Sequence, residues 1–300
     1  MKKMPAKKKK YTDNVVEPPK PTFGHIKLEN TTLHYVTCGS GRPLIIVPAT
    51  VSLMKQWMPI AQFMGLRFKT YFFELPGHGK STPYPFKFNS HYFPKTVEAF
   101  ADALGLKTFN LMGFSFGGLL ALRTLEYLDE RIESFLIVAP FISTRALKLP
   151  KYKQRLLRCG TWALKKPRVQ NAACKLLCTK RMKNVFYKLL SDFSKVDESI
   201  LRGKNAADLP VRTLDVLSYV LGEILSAEYK YKNLPFTKPC FFAMSVNDDL
   251  LKYDITEQIV KEYFSNLTMR KFYHPYHQPP EPPTFEWLME DFGDFLEILI

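Results

Sequence analysis

The stretch FNLMGFSFGGLLAL, residues 109–122, sets Ser115 midway between Gly113 and Gly117, with apolar runs on either side. A serine hydroxyl is a weak nucleophile until a neighbouring base takes its proton, and it must also stand clear of the backbone to reach a substrate. The residues before Ser115 read as a buried strand and those after it as a helix. In that context Gly113-x-Ser115-x-Gly117 predicts a nucleophile elbow. Glycines two residues to either side let strand and helix approach closely, and the helix N-terminus favours negative charge near the hydroxyl. When Ser115 attacks a carbonyl, the backbone N–H of Phe116, the next residue, is the expected donor to the oxyanion that forms.

The cysteines offer less. Five of them, at 38, 159, 174, 178 and 240, are odd in number and scattered, so no disulfide framework is expected and a reducing interior is. Cys174 and Cys178 lie one helical turn apart, but with no nearby histidine or second pair they read as packing residues, not metal ligands.

The elements that must position Ser115 follow from hydrophobic patterning. HIKLE, TLHYVTC and PLIIVP read as strands separated by turns at Asn30 and GSGR. A helix is predicted over Met54–Met64, with Ser52 as its N-cap, then a strand FKTYFFEL closed by PGHGKS. A helix from Thr96 ends at Gly105, which suits the left-handed residue past a helix end. KTFNLMG, FGGLLALRTLEYL and IESFLIVAP continue as strand, helix and strand. Such alternation, with continuous apolar strands, predicts a mostly parallel, doubly wound α/β sheet covered by helices on both faces. Residues 143–235 carry helical periodicity instead. The α/β pattern resumes with PCFFAMS, a helix over 253–263, LTMRKFY, and an amphipathic helix from Pro283 to Leu299. The expected organisation is one α/β domain, 23–142 and 236–300, interrupted by a helical insertion at 143–235 and preceded by a basic tail at 1–22.

The formal charge of +15 is concentrated. Residues 1–10 hold six lysines and no acid, and residues 134–191 hold fourteen lysines and arginines and no acid. The remainder is slightly acidic, as in an ordinary cytosolic enzyme. No apolar run is long enough for a transmembrane helix, and the N-terminus lacks the apolar stretch of a secretory signal.

Taken in order, LHYVTCGSGRPLIIVP, YFFELPGHGKS, LMGFSFGG, FFAMSVNDD and HPYHQPPEPPTFEW resemble the α/β-hydrolase family over about residues 25–300. The resemblance implies an eight-stranded-type sheet, a helical cap in the place of the insertion, and a serine, acid, histidine order along the chain. It implies that the acid lies in SVND, with Asp248 at its position, Ser245 where glycine is usual, and Asp249 as a competing neighbour. The base falls in the loop after the last strand: His277, preceded by Tyr276 where the family usually has glycine, with His274 as the alternate. A second oxyanion donor falls at the backbone N–H of Thr50, where Pro48-Ala49-Thr50 replaces the usual His-Gly. His78, in LPGHGKS, matches a structural turn, and His25, His34 and His91 lie outside the expected loops. A serine nucleophile argues against the dehalogenase and epoxide-hydrolase branches. No metal or organic cofactor is implied.

The expected function is therefore hydrolysis of a small-molecule carboxylic ester, with a thioesterase, a carbon–carbon hydrolase or a catalytically weak binding protein on the same fold as the other readings. In the insertion, Cys178, Met182, Val185, Phe186 and Leu189 recur at helical spacing while Lys180, Arg181, Lys183 and Lys188 fall off that stripe. The basic face is either simply solvated or meets an anionic membrane surface together with the N-terminal tail. No nucleic-acid-binding motif accompanies the charge. The expected location is cytoplasmic, with peripheral membrane contact.

Overall fold

In the computed structural model, which describes residues 16–50, 52–177, 211–229, 235–278 and 283–299, the apolar runs form strands that feed two separate cores. Along Leu44-Ile45-Ile46-Val47, alternate side chains enter opposite cores, as do Tyr71, Phe72 and Phe73. Period-two alternation in a strand apolar on both sides is what a sheet covered on both faces requires. Each such side chain, fully buried, contributes about 1.5–3 kcal/mol.

Among the described residues the sheet has eight strands: β1 (Thr22–Lys27), β2 (Thr32–Cys38), β3 (Pro43–Val47), β4 (Lys69–Phe73), β5 (Phe109–Phe114), β6 (Ile132–Val138), β7 (Cys240–Ser245) and β8 (Leu267–Phe272). Their spatial order is β1-β2-β4-β3-β5-β6-β7-β8. β1 with β2 and β2 with β4 are antiparallel, and every later pairing is parallel. β5, the strand that carries Ser115 at its end, lies deep in the sheet. Its Asn110 ties it to both neighbours, donating to the Pro43 carbonyl at 3.0 Å and accepting from Ser134 Oγ at 2.5 Å.

Helices α1 (Met54–Met64) and α8 (Phe285–Ile298) cover one face of the sheet. Helices α2 (Phe93–Ala103), α3 (Phe116–Tyr127) and α7 (Tyr253–Tyr263) cover the other. The connection from β6 to β7 carries α4 (Lys151–Leu164), α5 (Pro167–Leu177) and α6 (Val211–Ile224). The arrangement matches the doubly wound α/β fold expected from the patterning.

Local details depart from the sequence reading. Ser52 does not cap α1; its Oγ accepts the Leu75 N–H at 2.8 Å, and Glu74 Oε1 accepts the Met54 N–H at 2.8 Å. A carboxylate distant in sequence thus satisfies the orphan donor that a local serine was expected to meet. Helix α2 starts at Phe93 rather than Thr96, with Pro94 in its first turn, where a missing N–H costs nothing. Helix α8 starts at Phe285, capped by Thr284, whose hydroxyl accepts the Trp287 N–H at 3.2 Å. No helix among the described residues is long and apolar enough to cross a membrane. Of the basic tail expected over residues 1–22, residues 1–15 lie outside the described residues, as does the Cys178–Leu189 stripe, while Thr22 already belongs to β1.

Candidate active site

Ser115 joins β5 to α3 with φ 52° and ψ −121°, a conformation that an L-residue adopts only when its surroundings impose it. Three backbone hydrogen bonds impose it here. The Ser115 N–H donates to the Val138 carbonyl at 3.1 Å, and the Ser115 carbonyl accepts from Gly118 and Phe141, both at 2.8 Å. The flanking glycines are required by contact. A Cβ on Gly113 would stand 2.5 Å from the Gly117 carbonyl oxygen, and one on Gly117 would stand 2.3 Å from the Pro48 oxygen. The absence of that Cβ lets the Pro48 carbonyl, at the start of the Pro48-Ala49-Thr50 loop, lie close against the first turn of α3. The N–H of Phe116 belongs to that turn, where no carbonyl of the same helix can receive it.

Three side chains from distant parts of the chain meet at the elbow. Ser115 Oγ lies 2.8 Å from His277 Nε2, and His277 Nδ1 lies 2.7 Å from Asp248 Oδ2. Because a carboxylate oxygen only accepts, Nδ1 carries the proton toward Asp248, and Nε2 is left to accept the Ser115 O–H. Asp248 is 1% exposed, and its other oxygen accepts the N–H groups of Leu250 at 2.8 Å and Leu251 at 2.7 Å. Both oxygens of this buried carboxylate are thereby occupied, fixing the plane in which the imidazole must lie. The Phe114 ring sits 5.7 Å from that of His277 and packs edge-on against Trp57, forming an apolar wall beside the imidazole.

The alternates are placed elsewhere. Asp249 Oδ1 accepts the backbone N–H of His277 at 2.6 Å, so it holds the main chain rather than the ring. The His274 ring stacks on Tyr276 and lies 3.9 Å from the Asp291 carboxylate of α8. Its carbonyl accepts from Ser245 Oγ at 2.5 Å, and Asn247 Nδ2 donates to the Tyr273 carbonyl at 3.1 Å. Ser245, Asn247 and Asp249 thus lace the loop after β7 to the loop after β8. Nothing in their sequence spacing signals this, because the two loops are joined only by the parallel pairing of β7 with β8. Lys148, from the β6–β7 connection, donates to the Asp248 carbonyl.

Behind the Pro48–Thr50 loop stands a second polar group. Glu74, 3% exposed, holds the N-terminus of α1 through Oε1. Its Oε2 accepts the Lys80 N–H at 2.7 Å and lies 3.0 Å from His34 Nδ1. His78, in the same turn, is completely buried, and burial pushes its pKa below the usual histidine value. The backbone of Pro76 and of Thr50 and the charge of Glu74 pull weakly the other way. Among the described residues, no three His, Cys, Asp or Glu side chains come together as a metal-binding group.

Residues 42–169 match the family model described as alpha/beta hydrolase fold. The N-formylmaleamate deformylase of Pseudomonas putida is 30% identical over 160 residues, a stretch covering 47% of this chain and 60% of that relative. The match therefore spans less than two thirds of the relative's length. Among solved structures, a thermophilic esterase from Thermogutta terrifontis superposes with a TM-score of 0.63 at 13% identity, covering 91% of this chain and 95% of that one. The naproxen esterase (carboxylesterase NP) from Bacillus subtilis gives 0.58 at 14%, covering 93% and 90%. At such identities the likeness is one of fold. With the strand order and the elbow, these matches show that the chain has the α/β-hydrolase fold.

Proposed function

We propose that this chain is a serine hydrolase that cleaves a carboxylic ester through an acyl-enzyme. The observation that carries the reading is the unbroken run of hydrogen bonds from Ser115 Oγ through His277 to Asp248. Ser115 Oγ attacks the carbonyl carbon while His277 Nε2 takes its proton, and Asp248 steadies the imidazolium so formed. The backbone N–H groups of Phe116 and Thr50 receive the oxyanion. Collapse of that intermediate breaks the C–O bond, and His277 returns the proton to the leaving alcohol. Water then adds to the acyl carbon with His277 as base. The acid departs, and the proton returns to Ser115 Oγ. In this reading the β6–β7 connection serves as the cap, and Ser115 is only 7% exposed.

A second reading keeps the same residues and changes the bond. The matched relatives are named N-formylmaleamate deformylase and (E)-2-((N-methylformamido)methylene)succinate hydrolase, so a formyl group on nitrogen belongs in the substrate panel. The test has two arms. A fluorophosphonate probe should label the wild type and leave Ser115→Ala unlabelled. A panel of esters, thioesters and N-formyl amides should then rank simple esters first. Folded wild type that neither reacts with the probe nor turns over any panel member would return the chain to a binding role on this fold.

A further inference from the structure

Helix α4 faces two ways. Its inner side, which includes the buried Thr161, packs against α6. Its outer side carries Tyr152, Leu156, Cys159 and Trp162, spaced four, three and three residues apart and so aligned along one stripe. Tyr152 is 67%, Leu156 64% and Trp162 65% exposed. Large apolar side chains gathered on one helix face and left in water call for a partner.

The polar residues around the stripe say which kind. Lys151, Arg155, Arg158, Lys166 and Arg168 are exposed beside it, and no acid occurs anywhere from residue 134 to 191. Lys166 Nζ lies 4.9 Å above the Trp162 ring, so cation and aromatic form one amphipathic unit. A second copy of this face is a poor partner, since it would oppose cations to cations with no carboxylate to pair them. A bilayer bearing anionic headgroups meets both demands. Tyrosine and tryptophan settle at the headgroup level, leucine enters the acyl boundary, and lysine and arginine reach the phosphates.

We infer that the outer face of α4 is a docking surface for an anionic lipid bilayer, independent of the chemistry proposed for Ser115. The surface lies on α4, N-terminal to the apolar stripe at 178–189. The N-terminal lysines add long-range attraction but are not part of the stripe.

Co-sedimentation of the full chain with phosphatidylcholine vesicles, with and without about a third phosphatidylserine, tests this. Binding should be at least about tenfold stronger to the anionic vesicles. The full-length triple variant Tyr152→Ser, Leu156→Ser, Trp162→Ser keeps every lysine and arginine. It should lose about tenfold or more in binding to those vesicles, with an unchanged far-UV spectrum and melting temperature. Equal binding to the two vesicle types, or a folded triple variant that binds like wild type, overturns the inference. So does a single-stranded oligonucleotide that competes fully for wild type and binds the triple variant equally well. A wild-type dimer that the triple variant dissociates, together with no vesicle binding, overturns it in favour of self-association.

Discussion

At the scale of single residues, Asp248 and Asp249 are neighbours with separate tasks. Asp248 binds the imidazole, and Asp249 binds the His277 main chain. Asp248→Asn would offer Nδ1 an amide and release the preferred tautomer, so ester turnover should fall about 10³–10⁴-fold in kcat with KM little changed. Asp249→Asn keeps an acceptor oxygen and should cost less than about tenfold. Comparable losses in both variants, read from initial rates, would overturn this division. The family resemblance favours Asp248, but residue type and spacing alone do not separate the pair, and for a physical reason. Adjacent residues on one loop differ in role only through the direction each side chain takes, which depends on a partner loop 29 and 28 residues away. The same holds for His274 and His277, three residues apart.

His78 makes a second residue-level case. In the unfolded chain it titrates near 6.5, and burial holds its folded-state value lower. Between the two values the unfolded chain binds more protons than the native one, so stability rises with pH. Its full contribution is present above about pH 6.5 and is lost as pH falls below that. Chemical denaturation of His78→Asn at a series of pH values should therefore give a flatter dependence on the acid side. An unchanged slope would assign the acid sensitivity elsewhere.

At the scale of elements, the elbow was the most legible feature because its geometry restricts residue type so severely. Only glycine fits at 113 and 117, since a Cβ at either would press into backbone. Gly117→Ala would meet the carbonyls of both Pro48 and Val47, neither of which can rotate away. It should destabilise the fold by about 2–4 kcal/mol and slow probe labelling of Ser115, read by denaturant melts and by labelling rate. Wild-type stability and labelling would show that the loop yields. The strands and most helices were also readable, from alternation and capping. The cap of α1 was not, because Glu74 reaches Met54 across 20 residues of chain, and a local rule named Ser52 instead. The laces formed by Ser245 and Asn247 are likewise long-range, reaching 29 and 26 residues along the chain, and no local rule points to them.

At the scale of the whole molecule, the fold divides duties between its two faces and its two ends. The central strands carry Ser115, the later strands deliver Asp248 and His277, and the β6–β7 connection places a basic, partly apolar helix at the surface. That plan has a consequence in time. Ser115 Oγ and His277 Nε2 touch across 162 residues of sequence, with β6, the long β6–β7 connection, β7 and β8 between them. Closing so long a loop comes late in folding, after the local strand–helix units have formed. On dilution from denaturant, far-UV ellipticity should therefore recover in an earlier phase than reactivity of Ser115 toward a fluorophosphonate. Coincident recovery of both signals would mean that the two halves of the sheet condense in a single step.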